Sequence, residues 1–500
     1  MSNGLPPAWE LATLEQLFAP LEDGRLLHQG WSPQCEKDPA GDDEWGVLKT
    51  TAIQPGSFLP EHNKRLPPKL DPRPQREVKV GDLLITCAGP RVRCGIPCLV
   101  KATRPKLMLS GKMYRFRVPE DLVDANYVEK YLLSQKAQRA IDAMKTGGSD
   151  SGLNLTHDRF RPLPVPLAPT NEQRRIASKI DELFSRVDEG ERALERVSLL
   201  VERYRQSVLK AAVTGELTRD WREKNKGSLE TGEALLARIL AARREAWEQA
   251  ELEKMKAKGI SPSNDKWKEK YENPSPPETT NLSELPKGWV WTSFEQVFIV
   301  ASDEGKKLKE KDYLSDGELP VVDQGAKFIS GWTDRRELLF SGDLPVIAFG
   351  DHTRRFKLID MPFVVGADGL KLFHATTGYL SRFALIALQA SNIAGRGYSR
   401  HFQFLKKVPF PLPPEAEQAE IVEMFFRLSS QADSLVKQLE SELRRADASR
   451  QSILRAAFAG ELVLQDPADE AASTLLERIA AKRRTDSAAP KRGRKKKIPE

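Results

Sequence analysis

The chain carries the same helix end twice. The segment "RQSVLKAAVTGEL" begins at Arg205 and "RQSILRAAFAGEL" begins 245 residues later at Arg450, with nine of thirteen residues identical. The same offset relates the segments that precede them, "PVPLAPTNEQRRI" from Pro164 and "PFPLPPEAEQAEI" from Pro409. A long internal repeat constrains the fold more strongly than any local propensity. The chain is therefore two copies of one unit, each a globular region followed by a long helix.

Two further matches keep the same order along the chain. "LPPAWELATLEQLF" from Leu5 matches "LPKGWVWTSFEQVF" from Leu285, at an offset of 280 residues. "LLARILAARR" from Leu235 matches "LLERIAAKRR" from Leu475, at an offset of 240 residues. Three ordered matches indicate duplication of the whole unit rather than of the helix end alone.

The two long helices have the spacing of a coiled coil. Apolar residues from Ile176 to Ala211 recur at alternating steps of four and three, and residues 421–456 occupy the equivalent places. This is an a/d heptad seam. A proline precedes each helix and a glycine closes it: Pro169 and Gly215, Pro414 and Gly460. So narrow an apolar stripe needs a partner, and we expect the two helices to pack antiparallel on each other. The alternative is that each helix packs on its own globular region.

The expected fold class is α+β, with two mixed α/β globular domains separated by two long antiparallel coiled-coil helices and a pseudo-twofold internal repeat. In each globular region a Gly-Asp turn, at Gly81-Asp82 and Gly342-Asp343, precedes an apolar strand. A charged helical insert that ends in the proline-rich "NPSPPE" has the composition of a connector. The predicted segments are a first globular region over residues 1–163, a long helix over 164–218, the insert over 219–282, a second globular region over 283–412, a second long helix over 413–464, and a short helix with a basic disordered tail over 465–500.

Charge is informative only locally. Lys and Arg number 78 against 71 Asp and Glu, but residues 482–500 hold the whole surplus of 7, so the remainder of the chain is neutral. No acidic residue occurs in 83–119, which has eight basic ones, or in 369–414, which has six. Two acid-free stretches predict two positive surfaces, and the tail adds non-specific attraction to a polyanion. Compositional fluctuation is the alternative.

The sequence lacks the usual signatures of catalysis. It contains no GxxxxGK[ST] phosphate loop, no glycine-rich cofactor turn, no [DN]PP[FYW] tetrad, no HExxH and no GxSxG. Glu318, Asp323 and Lys327 form at best a weak nuclease-like carboxylate and lysine set. We therefore expect a non-enzymatic chain with no catalytic residue and no cofactor of its own.

The four cysteines and the hydropathy pattern place further limits. Cys94 and Cys98 have a spacing that a zinc site uses, but such a site would also need Cys35 and Cys87. Reduced, partly buried thiols are the preferred interpretation, and no metal is expected. No apolar run reaches the roughly 18 residues of a membrane-spanning helix and no signal peptide is seen, so the expected location is cytoplasmic.

Taken together, these motifs resemble a known family. Two variable globular regions, each opening with an "LPxxW" segment, alternate with two near-identical helices that begin after "PVPLAPTNEQRRI" or "PFPLPPEAEQAEI" and end in "GEL". This arrangement resembles the specificity subunit of type I restriction–modification enzymes over nearly the whole chain. The insert and the basic tail have no clear place in that pattern.

The resemblance implies a function and a set of partners. Each globular region would be a target-recognition domain that reads half of a split, asymmetric site in double-stranded DNA. The helices would separate the two readers and dock two methyltransferase subunits, which would use S-adenosylmethionine. Translocase–nuclease subunits that use ATP and Mg²⁺ would complete the restriction complex.

Candidate DNA-binding residues are donors in the basic stretches and neighbouring loops. Arg suits guanine and phosphate, Asn and Gln suit adenine, and backbone contacts outnumber base contacts, so roughly half of the candidates are expected at the interface. In the first globular region they are Arg91, Arg93, Arg115, Arg117, Lys145, Ser149, Asn154, Thr156 and Arg159. In the second they are Gln324, Lys327, His352, Arg354, Arg355, Arg396, Tyr398, Arg400 and His401.

Two other functions remain open from the residues alone. One is a structural coiled-coil adaptor that binds only proteins, against which the acid-free stretches argue. The other is a self-sufficient nuclease, against which the absent motifs argue.

Overall fold

The structure is a computed structural model that describes residues 4–262, 264–280, 282–367, 369–391, 393 and 400–488. The chain divides into two compact units, residues 1–195 with 440–500, and residues 196–439. Each unit therefore combines one globular region with segments of both long helices.

The first globular region is a set of short strands with three helices. Its strands are β1 (Glu10–Thr13), β2 (His28–Gln29), β3 (Gly46–Leu48), β4 (Ile53–Gln54), β5 (Ser57–Phe58), β6 (Asn63–Arg65), β7 (Leu83–Thr86), β8 (Ala88–Gly89), β9 (Pro97–Leu99), β10 (Leu107–Met108), β11 (Met113–Phe116), β12 (Leu153–Asn154) and β13 (Pro164–Leu167). Its helices are α1 (Ala125–Leu133), α2 (Gln135–Met144) and the single turn α3 (His157–Phe160). The main sheet has the order β2-β11-β7-β9, and a smaller one has the order β10-β3-β6.

The predicted Gly-Asp turn leads into the central strand of this main sheet. Gly81 has a φ of +87°, a conformation that glycine adopts at little cost, and the strand β7 that follows is buried along its whole length. Aromatic side chains, among them Phe18, Phe116 and Tyr127, fill the core beneath it. The apolar run therefore forms a two-sided buried strand, as its composition predicts.

The first long helix, α4, spans Thr170–Thr214, and the insert that follows is partly helical. The short α5 covers Arg219–Lys224 and α6 covers Gly232–Ala257. A 3-10 turn at Asp265–Lys270 packs back on α6, with the rings of Trp267 and Trp247 stacked at a centroid distance of 6.1 Å.

The second globular region repeats the same plan with different strands. They are β14 (Val290–Thr292), β15 (Phe298–Ala301), β16 (Leu319–Val322), β17 (Gly331–Thr333), β18 (Val346–Gly350), β19 (Phe356–Ile359), β20 (Val364–Val365), β21 (Leu370–Ala375) and β22 (Phe410–Leu412). Its helices are α7 (Phe294–Val297), α8 (Ser381–Ala390) and α9 (Phe402–Leu405). The main sheet has the order β15-β21-β18-β19, and a second has the order β17-β16-β20.

The second long helix, α10, spans Glu415–Phe458, and α11 spans Ala472–Ala488. Within the first unit Arg450 of α10 pairs with Asp188 and Glu191 of α4. Within the second unit Arg205 of α4 pairs with Asp433 of α10. As the residue number rises along one helix the partner's number falls, so the helices run antiparallel. The expected fold class is confirmed.

The predicted heptad seam is only partly buried. Ile180 and Val201 are buried as expected. However, Val197, Tyr204 and Leu435, which the spacing also assigns to the seam, are more than two-fifths exposed. The seam prediction is therefore wrong at these positions, whose side chains are largely open to solvent instead of packed on the partner helix.

The duplicated segments form duplicated hydrogen bonds. In the first unit the indole of Trp9 donates to the buried Glu172 at 3.0 Å, and in the second unit Trp289 donates to the buried Glu417 at 2.8 Å. The strand pairs agree residue for residue, since Ala12 pairs with Val165 and Thr292 pairs with Phe410. Each repeated motif therefore joins the start of a globular region to the start of its long helix.

The glutamine after each of these glutamates makes a second repeated contact. Gln173 accepts from the backbone amide of Asp124, the N-cap of α1, at 2.9 Å. Gln418 accepts from the backbone amide of Leu380, the N-cap of α8, at 2.8 Å. The long helix thus holds the start of a helix of the globular region in both units.

The insert is more than the connector that its composition predicts. Leu235 and Ile239 of α6 are buried in the core of the second unit, and the amide of Gly232 donates to the carbonyl of Gly288 at 2.7 Å. The connector interpretation is corrected for this portion of the insert, because the apolar residues Leu235 and Ile239 pack into the core while most charged residues of α6 are exposed.

The C-terminal helix repeats that contact in the first unit. Leu475 and Ile479 of α11 are buried there, and the amide of Ala472 donates to the carbonyl of Ala8 at 2.9 Å. Two cations assigned to the basic tail are used structurally, since Lys482 pairs with Asp121 and Arg483 donates to the carbonyl of Phe18. Residues 489–500 lie outside the described range of the chain.

No helix in the described residues is both long enough and apolar enough to span a membrane.

Candidate nucleic-acid interface

The turn between β18 and β19, residues 350–356, presents two arginines to solvent. Arg354 has a φ of +58°, and its amide donates to the carbonyl of Gly350 at 2.7 Å. A left-handed non-glycine residue is uncommon and persists where its surroundings fix it, often at functional sites. Here the Arg354 guanidinium donates to the carbonyl of Ile393 at 2.9 Å. Arg355 is exposed and pairs with no carboxylate among the described residues.

A second loop, residues 323–330, lies against this turn. The carbonyl of Gln324 accepts from the Thr353 hydroxyl at 2.7 Å, and its side-chain oxygen lies 3.3 Å from the amide of His352. Glycine is required at 350, because a Cβ there would come within 2.9 Å of the Gln324 Cβ and closer still to Thr353. The close approach positions Gln324 directly beside the arginine turn.

Lys357 fixes the 323–330 loop from below. Its ammonium donates to the carbonyls of Asp323 and Lys327, each at 2.6 Å, and the side chain is almost fully buried. Burial lowers the pKa of Lys357 below its ordinary value. The Asp323 carboxylate accepts from the Ser330 hydroxyl at 2.5 Å. The loop is therefore held at both ends before any ligand arrives.

A cleft of about 590 Å³ separates the loop from the turn. Its lining includes the basic side chains of Arg354, Arg355 and Lys357 and the aromatic rings of Phe328 and Phe356. Among the described residues that line it, none is acidic. A concave, basic, partly aromatic surface suits an anionic ligand with flat apolar faces.

The structure brings together five of the second region's candidates at this cleft and its rim. They are Gln324, Lys327, His352, Arg354 and Arg355. Arg400 is exposed. Arg396 and Tyr398 lie outside the described residues.

The prediction that His401 contacts DNA is corrected. The side chain is buried, and its Nδ1 lies 2.8 Å from the carbonyl of Asp351 in the arginine turn. The Asp351 carboxylate in turn accepts from the amide of Phe402 at 2.7 Å. His401 therefore supports the turn from inside and does not reach a ligand.

In the first globular region Arg115 is also a correction. Only 1% of it is exposed, and its guanidinium donates to the carbonyls of Gln75 and Glu77 and contacts Nδ1 of His28 at 3.0 Å. A buried cation with these partners organises the domain core. Its position in an acid-free stretch predicts a surface residue, but its partners come from outside that stretch.

Arg117 is engaged in the same network. Its guanidinium donates to the buried Asp82 at 2.6 Å and lies near Glu22. Burial alone raises the pKa of Glu22, but a bond to its own backbone amide, Lys79 and Arg117 outweigh burial and lower that pKa to about 2. A DNA phosphate would have to displace these carboxylates to reach Arg117.

Arg91 and Lys145 are neutralised in a similar way. Arg91 pairs with Asp142 at 2.8 Å and with Asp150 at 3.1 Å. Lys145 pairs with Asp142 at 2.8 Å. Arg93 instead donates to the carbonyls of Thr50 and Ile53. None of these cations is without a partner in the first unit.

The remaining candidates of the first region are accessible. Ser149, Asn154, Thr156 and Arg159 are all exposed, and Ser149 bonds to the hydroxyl of Ser151 at 2.9 Å. They lie on the segment that β12 ties to β8. These four stay predictions, since nothing in the structure tests a contact with DNA.

Sequence reasoning missed a different basic cluster in the first unit. Arg73 stacks on Trp31, with its guanidinium carbon 4.0 Å from the ring centroid. Burial and the nearby charges of Arg73 and Arg25 lower the pKa of Arg76. The segment 71–78, "DPRPQREV", carries this signal, but its acidic residues excluded it from the acid-free stretch.

The alternative chemical sites are not assembled. Among the described residues no group of three or more His, Cys, Asp and Glu side chains could hold a metal ion. Burial raises the pKa of the Cys87 thiol to about 12, and Cys94 and Cys98 are buried as well. Glu318 pairs with Arg336 and does not join a set with Asp323 and Lys327.

The fold defines a class of protein, a duplicated chain in which two globular regions of unlike sequence are mounted on a repeated helical frame. No family model matches the chain. Curated proteins, however, match the chain in sequence. A specificity subunit of the type I restriction enzyme EcoEI from Escherichia coli is 38% identical over 186 residues, which is 37% of this chain and 30% of that relative.

Two other relatives match over more of their length. The EcoDI specificity subunit of Escherichia coli is 27% identical over 67% of this chain and 72% of its own. The StySPI specificity subunit of Salmonella potsdam is 28% identical over 76% of each chain. A solved chain, from work on complex assembly and conformational transition of a type I restriction–modification system, shares the fold with a TM-score of 0.63 at 17% identity, covering 91% of this chain and 99% of that one.

The chain is similar to type I restriction enzyme specificity subunits over 67% to 76% of its length. The resemblance first seen in the repeated helix ends is thereby confirmed.

Proposed function

We propose that this chain gives a type I restriction–modification complex its DNA sequence specificity by reading a bipartite, asymmetric site. The observation that carries the proposal is the repeated frame around unlike contents. The same Trp-to-Glu bond, the same strand register and sheets of the same strand order recur in both units, while the sequences of the loops that these sheets carry differ. Two different readers on one frame suit a site with two different halves.

The second reader supplies the clearer DNA surface. Arg355 and Lys327 are exposed cations beside a cleft whose described lining has no acidic side chain. Cations of this kind bind phosphates and add affinity that falls with salt, whereas an amide side chain such as that of Gln324 suits a base edge. In the first reader the accessible donors are Ser149, Asn154, Thr156 and Arg159, and the cluster of Arg73 and Arg76 adds positive charge.

We further propose that the repeated helices dock two copies of a methyltransferase subunit. Val197, Leu200 and Tyr204 of α4 expose apolar surface on a long charged helix, as protein-binding faces do. S-adenosylmethionine would then be bound by those partners, and ATP and Mg²⁺ by restriction subunits. The names of the relatives, all specificity subunits of type I enzymes, support this assignment.

Mapping of methylated adenines tests the proposal directly. The chain is co-expressed with its neighbouring methyltransferase subunit and the genome is read by single-molecule sequencing. We expect one split asymmetric motif, and exchange of residues 1–163 for the equivalent region of a relative should change only one half of it. A complex that assembles but leaves no sequence-dependent methylation would instead support the protein-binding adaptor.

A further inference from the structure

The rim of the cleft in the second unit carries an aromatic ring that the fold does not need. Phe328 is 44% exposed in the loop between β16 and β17, next to the exposed Lys327. Its carbonyl, like that of Lys327, lies within reach of the buried Lys357 ammonium, at 3.5 Å. The backbone is therefore fixed while the ring is presented to solvent.

The opposite wall offers complementary chemistry. Phe356 stacks on Phe349 with a centroid distance of 4.9 Å and lines the cleft beside Arg355. Gln389, at the end of α8, is exposed and supplies amide donors and an acceptor to the floor. An aromatic platform, a cation and an amide are the groups that bind a base, its phosphate and its hydrogen-bonding edge.

The cleft is concave, and in this it differs from a surface that contacts only the backbone of a DNA duplex. A phosphate contact needs a single exposed cation, whereas this open cleft of about 590 Å³ combines the ring of Phe328 with the cation of Arg355 and the amide of Gln389. Bases within a duplex are stacked and do not reach into a concave site. A nucleotide that enters the cleft must therefore leave the stack.

We propose that the cleft between residues 323–330 and 350–357 binds one nucleotide extruded from the target duplex, with its base on Phe328 and its phosphate at Arg355. This inference rests on the proposed DNA-reading function and deepens it. Lys357 is the positioning residue, because its bonds to three loop carbonyls hold Phe328 at the rim before DNA binds. Such a site would add specificity, because the free energy needed to open a base pair differs from one base pair to another.

A scan of mismatches tests the proposal. The full-length chain is titrated with duplexes that carry the mapped site, and each base in the half read by residues 283–412 is replaced in turn on one strand only. Extrusion is easiest when the base has no partner, so one mismatch should tighten binding by about tenfold. Phe328→Leu keeps an apolar side chain but removes the ring and should abolish the gain. Phe328→Tyr keeps the ring and should retain it.

The outcomes are distinct. If the wild-type chain binds its site specifically and every mismatch leaves affinity unchanged or weakens it, no nucleotide is extruded and the inference is overturned. A mismatch gain that survives Phe328→Leu also overturns it, because the displaced base then goes elsewhere. If the wild-type chain shows no preference for its site over scrambled DNA, the proposed function itself fails.

Discussion

Removal of one leucine from the insert helix should destabilise the second unit. Leu235 of α6 is fully buried in the core that also contains Trp289 and Tyr379, and it lies against Gly378, where a Cβ would come within 2.9 Å of its Cδ1. Leu235→Ala removes buried apolar surface and leaves a cavity in a packed site. Such changes cost about 2–5 kcal/mol.

The packing around Leu235 determines how much of that range the free energy of unfolding loses. The neighbouring backbone at residues 288–290 is held by the bond from Gly232, so the cavity has little freedom to collapse. We therefore expect about 3 kcal/mol, which corresponds to a fall of roughly 6–12 °C in the melting temperature of a unit of this size. Differential scanning calorimetry and urea titration of the full-length chain give both quantities.

The same helix provides the control. Leu252 lies farther along α6 and is 40% exposed, so Leu252→Ala should change stability by less than about 0.5 kcal/mol. If Leu235→Ala costs as little as Leu252→Ala, then α6 is a connector after all and its packing contributes nothing to the fold. A loss of the expected size in Leu235→Ala alone makes the insert an integral element of the second unit.

Three other substitutions separate binding from stability. Arg355→Gln should weaken DNA binding and reduce the slope of log K against log salt by about 1, measured by filter binding at several salt concentrations; an unchanged slope means that Arg355 contacts no phosphate. Arg115→Met should lower the free energy of unfolding in urea by about 3 kcal/mol, because the substitution removes a cation from a buried network of carboxylates. It should leave the salt slope of DNA binding unchanged. A changed slope with normal stability would support a role of Arg115 in DNA binding. Glu22 has a folded pKa of about 2, below its ordinary 4.5, so its stabilising effect is present above pH 4.5 and is lost as the pH falls toward 2. Glu22→Gln should accordingly destabilise the chain by a few tenths to about 1 kcal/mol at pH 7 and by less at pH 3, since the group is half exposed; an equal loss at both pH values would contradict the assignment.

The architecture could be predicted from the sequence because the residues that make each structural contact occur in both copies of the repeat. The matches at Trp9 and Trp289, and at Gly215 and Gly460, fall on residues that make equivalent contacts in the two units. The third match, from Leu235 and Leu475, was visible too. Its meaning was missed because the charged composition of the surrounding insert favoured a solvated connector, whereas two or three buried residues per helix are enough to dock it.

The candidate binding surface was harder to predict from the sequence, because acidic residues distant in sequence can lie next to a basic residue in the folded chain. An acid-free stretch excludes acidic neighbours along the chain but not across it. Asp142 and Asp150 reach Arg91 from outside the stretch 83–119, and Gln75 and Glu77 supply the carbonyls that bury Arg115. Long-range partners of this kind can be found only after the strands have been placed.

In the second globular region two of the predicted residues, Arg354 and Arg355, are exposed side by side, and the physical difference from the first region is local. Arg354 and Arg355 occupy the tip of a hairpin, where a side chain meets few distant groups, whereas Arg115 and Arg117 occupy and follow a central strand. A basic residue in a turn between two apolar strands is therefore better evidence for a binding surface than one inside a strand.

The separation between frame and reader has a consequence for exchange of the readers. The second globular region is joined to its long helix from its ends, by Trp289 and Thr292 at its start and Phe410 at its close. One interior point joins it as well, the N-cap of α8, where the Leu380 amide donates to Gln418. The arginine turn, the 323–330 loop and the cleft all lie between these ends and make none of the frame contacts. A foreign segment that keeps the tryptophan, the two strand residues with their register and the helix N-cap that meets Gln418 should fold on the same helices, whatever loops it carries. Specificity can then change by replacement of one internal segment, without new packing against the frame.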